Sequence, residues 1–172
     1  GLNISVNKGE IFAILGGNGT GKSTLLKVLR GSLRPIRGKV KAKGTIGMLP
    51  QDVQTLFRKE TVKEELENVP ENIIKSMELK DILERHPYDI SGGEQQKVAL
   101  ARVLAADPDI LLLDEPTKAI DNIYKETLGK MLRSLSDKGK TIIIVSHDLD
   151  FCGEYVDKCG LLATGDILCV NN

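Results

Sequence analysis

The sequence predicts an α/β domain in which a mainly parallel sheet is flanked by helices. Three runs, Ile11–Leu15, Ile110–Leu113 and Thr141–Val145, are apolar almost throughout. A strand with one wet face alternates, so unbroken runs of this length read as strands buried on both faces, the pattern of a parallel sheet. Between them lie segments of helical periodicity with start and stop signals, so strands and helices alternate. At 172 residues the chain is long enough for one well-cored domain with a small subdomain.

Taken in order, Leu2, Ile4 and Val6 alternate with polar residues like the end of a strand, and Asn7-Lys8-Gly9-Glu10 is a turn. The chain opens without an initiator Met and reads as an excised fragment spanning residues 1–172. After the first buried strand, Gly21–Arg30 is a helix stopped by Gly31. Pro35–Lys43 alternates lysines with Val40 and Ala42, which predicts a solvated edge strand guarded by charge. Met48-Leu49-Pro50-Gln51 closes a short strand-like run. Thr61 and Glu64 have capping-box spacing, and Glu67, Glu71, Lys75, Glu78, Lys80 and Asp81 are surface-type residues. They predict a small helical insert, within a helical subdomain of about residues 53–105. Gly93–Ala106 is a helix ended by Asp107-Pro108, and Asn122–Asp137 one ended by Gly139.

Composition narrows the function. The 24 basic and 24 acidic residues cancel, aromatics are 3% and Trp is absent, so neither a steering field nor base-stacking platforms are expected, and no nucleic acid partner. Cys152, Cys159 and Cys169 form no C-x-x-C pair, which fits a reduced compartment and inert thiols. The longest apolar runs are far shorter than a membrane span. A membrane part, if the process has one, belongs to another chain.

Gly16-Gly17-Asn18-Gly19-Thr20-Gly21-Lys22-Ser23-Thr24 follows the first strand and opens the first helix. This is the P-loop pattern in its proper context. Its glycines let backbone N–H groups converge on an anion, and the helix start adds its positive end. Lys22 reaches β/γ-phosphates, and the Ser23 hydroxyl suits Mg²⁺. Ile110-Leu111-Leu112-Leu113-Asp114-Glu115 is a buried strand ending in two acids. At the carboxyl edge of an α/β sheet these sit beside the ligand crevice. Asp114 suits a hard cation, and Glu115 a proton taken from attacking water. His147 ends the strand 141–145 at the same edge, placed for a γ-phosphate contact. Ser91-Gly92-Gly93-Glu94 is a capping box by spacing, yet two glycines at a helix start also make a second anion site. Two phosphate sites and one nucleotide imply that the second serves a partner.

Together these residues resemble the nucleotide-binding domain of an ABC (ATP-binding cassette) ATPase, over essentially the whole chain and in the family's order. Gly16–Thr24 matches Walker A, Gln51 the Q-loop glutamine, and Ser91–Gln95 the signature motif. Ile110–Glu115 matches Walker B, Lys118–Asp121 the D-loop, and His147 the switch histidine. The resemblance implies a P-loop NTPase-type fold with a small helical subdomain and N-terminal antiparallel strands largely missing. It implies ATP and Mg²⁺, with Ser23, Gln51 and Asp114 at the metal. Gly16, Asn18, Gly19, Thr20, Gly21, Lys22, Ser23 and Thr24 would lie on the chain's own nucleotide, Ser91 and Gly93 on a partner's, and Asp121 would also bind nucleotide. Glu115, Gln51 and His147 would serve hydrolysis. Leu49–Asp52, Leu56-Phe57, Thr61–Leu66 and Glu115–Asp121 further resemble the ATPases of energy-coupling-factor (ECF) importers of vitamins, their precursors or metal ions. That likeness implies a second ABC ATPase domain and an integral membrane subunit as partners, at the cytoplasmic face of the cell membrane. Phe57 would then be either an anchor for the membrane subunit or a residue packed into the domain's own core. A non-transport ABC ATPase of DNA repair or ribosomes is the alternative; a small-molecule P-loop kinase leaves Ser91-Gly92-Gly93 unexplained. The family's adenine-stacking aromatic has no counterpart here, and Glu94 stands where Gln is usual.

Overall fold

Six strands form one sheet: β1 (Ile11–Leu15), β2 (Ile46–Leu49), β3 (Ile110–Asp114), β4 (Thr141–Val145), β5 (Lys158–Ala163) and β6 (Asp166–Asn171). The computed structural model describes residues 2–163, and the backbone alone of 166–171. The strand order is β2-β3-β4-β1-β5-β6, with the first five parallel and β6 antiparallel to β5. β1 therefore lies between β4 and β5. Its Ile11, Phe12, Ala13 and Ile14 are at most 1% exposed, as the unbroken apolar run requires.

The helices are α1 (Lys22–Arg30), α2 (Val62–Glu65), α3 (Glu71–Ser76), α4 (Gly92–Ala105), α5 (Asn122–Asp137) and α6 (Leu149–Tyr155). Single 3₁₀ turns cover Val53–Leu56 and Lys80–Ile82. Alternate strand residues feed two cores. Ile11, Ala13, Leu111, Leu113, Ile142 and Ile144 pack with α4, α5, α6 and the helical stretch after β2. Phe12, Ile14, Leu112, Ile143 and Val145 pack with Leu26 of α1. Each of these side chains larger than Ala13 contributes about 1.5–3 kcal/mol on full burial. A one-residue slip would exchange the two sets, so the register is firmly set.

The predicted helices and buried strands appear within a residue or two of their expected bounds. Two expectations fail. Pro35–Lys43 forms no strand, because no described strand lies beside it; its residues stand exposed. Leu2–Val6 likewise takes no strand conformation. Of the two readings of Phe57 the core one holds: it is 6% exposed and packs with Val53, Val62 and Leu66, so it is not a surface anchor.

This topology places function. The carboxyl ends of β2, β3, β4 and β1 lie side by side, and each leads directly into a segment singled out in the sequence: Gln51, Asp114-Glu115, Ser146-His147 and Gly16–Thr24.

Candidate functional site

The turn from β1 into α1 is built by conformational necessity. Gly19 (φ 76°) and Gly21 (φ 95°) occupy the left-handed region open to glycine. Gly16 is needed for space, since a Cβ there would stand 2.6 Å from the Leu162 carbonyl oxygen. The Thr20 hydroxyl donates to the Gly17 carbonyl at 2.9 Å and tightens the loop. No side chain caps α1, so its first N–H groups stay available to an anion, beside the positive end of the helix. The buried Lys22 ammonium donates to the carbonyls of Gly16 (2.8 Å) and Gly17 (2.7 Å). It is thus held over the loop, as a phosphate ligand would be.

Across the cavity, β3 and β4 are paired so that Asp114 stands opposite Val145. That register brings Glu115 to His147: Glu115 Oε1 lies 3.1 Å from His147 Nε2, and Oε2 accepts from the His147 backbone N–H at 3.3 Å. Glu115 holds a left-handed backbone (φ 53°), uncommon for a side-chain-bearing residue, and its N–H donates to the Val145 carbonyl at 2.8 Å. This conformation turns the carboxylate toward His147. Asp114 is 3% exposed, and its Oδ1 is buried with no hydrogen-bond partner among the described residues. An orphaned carboxylate oxygen is costly unless a cation answers it.

These residues share one cavity of ≈ 260 Å³. Asn18, Gly19, Gly21, Lys22, Ser23, Thr24, Gln51, Asp114, Glu115, Val145 and His147 line it. A larger, mainly apolar cleft of ≈ 710 Å³ lies apart from this chemistry, against α1's face of the sheet, and includes Ile4, Val40 and Ile46. Among the described residues no cluster of three or more His, Cys, Asp or Glu could cage a metal. The donors at the smaller cavity instead fit Mg²⁺, which takes one or two protein oxygens and completes its shell with phosphate and water.

Ser91, Gly93 and Asp121 do not line that cavity. Ser91 caps α4 reciprocally: Glu94 N–H donates to Ser91 Oγ (3.2 Å), while Ser91 N–H (2.7 Å) and hydroxyl (2.8 Å) donate to Glu94 Oε2. The backbone and hydroxyl of Ser91 hold the Glu94 carboxyl below its ordinary pKa. Asp121 caps α5 by accepting from the Tyr124 N–H at 2.8 Å. Sequence reasoning missed why Gly93 is glycine within its own chain: a Cβ there would stand 3.2 Å from the Ala119 carbonyl oxygen. It also missed Val145 in the cavity wall, which the strand's apolar character hid.

Comparison with known proteins decides the family: the ABC transporter family model matches residues 1–118. The chain belongs to the ABC transporter ATPases. It is 39% identical to a Bacillus thuringiensis protein named as an ABC transporter ATP-binding protein, over 97% of this chain and 35% of that one. The chain thus spans about a third of that relative's length. It is 34% identical to the energy-coupling factor transporter ATP-binding protein EcfA of Methanocaldococcus jannaschii, over 98% of this chain and 71% of EcfA. Among solved structures it resembles a dimeric ATP-binding cassette in a post-hydrolysis state bound to ADP and Pi. The TM-score is 0.89 at 27% identity, covering 99% of this chain and 88% of that one. The sheet and its helices are those of an ABC cassette.

Proposed function

We propose that this chain is the ATP-hydrolysing motor domain of a membrane importer, working as one half of an ATP-bridged pair of cassettes. The shared cavity carries the reading: P-loop, buried Asp114, Gln51 and the Glu115–His147 pair face one space. Gly16–Thr24, with Asn18, Thr20 and Lys22, hold the triphosphate of ATP, and Ser23, Gln51 and Asp114 offer oxygens to Mg²⁺. When bound, Mg²⁺ neutralises charge on the phosphate oxygens. Glu115 accepts the proton of the water that attacks the γ-phosphate. His147, tied to both carboxylate oxygens, holds that base in place. Ser91, Gly93 and Asp121 lie outside the chain's own cavity, which favours their serving the nucleotide of a second ABC ATPase domain.

Likeness to EcfA, named for energy-coupling factor transport, supports an importer of the vitamin or metal-ion class with an integral membrane subunit. No described helix is long and apolar enough to cross a membrane, which accords with a place on the cytoplasmic face beside that subunit. Three experiments on the complete protein test this. Glu115→Gln keeps ATP binding and loses turnover by about 10²–10⁴-fold; near-parental hydrolysis would remove Glu115 from the role. A dimer of one Lys22→Ala and one Ser91→Arg protomer retains an intact composite site, whereas both lesions in one protomer leave none. Equal activity of the two mixtures sinks the paired arrangement. Pull-down from membranes should recover a polytopic partner; ribosomal or DNA-repair partners instead would favour a non-transport ATPase.

A further inference from the structure

His147 stands in the short turn Ser146-His147-Asp148 between β4 and α6. Its side chain is 47% exposed, so packing alone does not hold it over Glu115. The residues on either side are anchored instead. Ser146 is fully buried, and its hydroxyl oxygen accepts from the Asp148 N–H at 3.0 Å. One Asp148 oxygen caps α6 by accepting from the Phe151 N–H at 3.0 Å. The other takes the ammonium of Lys125, on α5, at 2.7 Å. Burial alone would raise the Asp148 pKa. Lys125, the Phe151 N–H and the Thr117 side chain bond the carboxylate and bring it below its ordinary value.

The Lys125–Asp148 bond is not explained by either residue's own helix. The α6 cap uses one carboxylate oxygen and leaves the second free for another partner. Lys125 lies in the opening turn of α5, close to the positive end of the helix, where a cation gains nothing from the dipole. The two side chains are 30% and 18% exposed, so water and salt screen the pair less than they would a surface pair. Neither residue lines the cavity shared by the P-loop, Asp114 and Glu115. The bond instead joins α5 to the turn that carries His147.

We propose that Lys125 and Asp148, with Thr117 beside them, are positioning residues for His147, clamping the turn that presents its imidazole to Glu115. Glu115 meets that turn twice, at His147 Nε2 (3.1 Å) and at the His147 N–H (3.3 Å), so a shift of the turn disturbs both contacts. Without the Lys125 ammonium, Asp148 keeps its cap but loses its tie to α5, and the turn is free to move with α6. A misplacement of about 1 Å is enough to cost on the order of 10²-fold in rate. The inference rests on the proposed function, since His147 must hold the Glu115 base for its own position to matter.

The test is steady-state ATP hydrolysis by the complete dimeric protein, with kcat and KM read separately beside the melting temperature. Lys125→Met keeps a long side chain and removes the charge. It should cut kcat about 10-fold or more and leave KM for ATP nearly unchanged. Lys125→Arg, which keeps the cation, should restore most of the loss. In a His147→Ala background Lys125→Met should cost nothing further, because the residue it acts through is gone. Phosphate release from radiolabelled ATP keeps that slow double variant readable. Losses that multiply in the double variant overturn the clamp, and so does parental kcat in Lys125→Met. A kcat loss matched by lost folded protein overturns it too. His147→Ala alone separates the layers. If it turns over at the parental rate, the proposed role of His147 fails and the clamp with it. If it is impaired while Lys125→Met is not, the clamp alone falls.

Discussion

Gly16→Ala and Gly17→Ala, neighbours in one loop, should behave quite differently. At Gly16 a new Cβ would stand 2.6 Å from the Leu162 carbonyl oxygen and 3.1 Å from Thr20 Oγ1. At Gly17 the nearest atom, Thr20 Cγ2, is 3.8 Å away, an ordinary contact. The carbonyl at Leu162 cannot yield easily, because β5 is paired on one side with β1 and on the other with β6. Overpacking of this kind costs about 1–3 kcal/mol. At about 2–4 °C per kcal/mol for a chain of this size, Gly16→Ala should lower the melting temperature by roughly 2–12 °C. Gly17→Ala should stay within about 0.5 kcal/mol of the parent. Gly16 also supplies a carbonyl that holds the Lys22 ammonium at 2.8 Å, so its displacement should weaken ATP as well. Thermal melts without nucleotide, then titration calorimetry with Mg-ATP, measure both effects. Equal melting temperatures for the two variants would refute the argument that Gly16 answers to the β5 backbone.

Phe57→Ala should cost about 3–5 kcal/mol, because Phe57 is core; a melt unchanged from the parent would return it to the surface. Glu94→Gln should be pH-dependent. Ser91 holds the Glu94 carboxyl below its ordinary value of 4.5, so its contribution is present above that pH and disappears as pH falls through the lowered value. The variant should therefore melt below the parent at pH near neutral, and the two curves should converge in acid; a gap that persists there would be wrong for this cap. Burial pushes the Cys152 thiol up to about 12, so iodoacetamide at mildly alkaline pH should spare Cys152 until the protein is unfolded. Peptide mapping that finds native Cys152 alkylated would contradict it.

The parts of this molecule legible in the sequence are those whose physics is local or whose burial is complete. Ile11–Leu15 and Ile110–Leu113 read as strands because the runs are short, apolar on both faces and bounded by turn signals. Ser91 and Glu94 read as a cap because three-residue spacing is all a capping box needs. β5 did not read as a strand: Lys158 is tied to Glu10 at 3.1 Å, Gly160 interrupts the run, and Leu161 is exposed, so its pattern is mixed. The strand order, and with it the meeting of Glu115 and His147 over 32 positions, depends on which strands pair, and no local pattern encodes that. Phe57 stays open between anchor and core in the sequence. A large apolar residue beside Arg58 and Lys59 looks like a surface anchor, yet only its neighbours are exposed. The Pro35–Lys43 alternation shows that a strand-like pattern without a strand to bond remains a loop.

The position of β1 bears on how the chain is made. Ile11 finds its partner at Ile142, and Phe12 finds Lys158, so the P-loop strand leaves the ribosome long before either neighbour exists. At about 5–20 residues per second, the intervening ~130 residues take roughly 6–26 s to synthesise. For that interval a five-residue apolar strand has both edges bare, the kind of segment that pairs with other chains. Nascent chains stalled between β3 and β4 should therefore bind holdase chaperones through Ile11–Leu15 and release them once β4 and β5 emerge. The strand that anchors the nucleotide loop is thus also the one whose burial waits longest on translation.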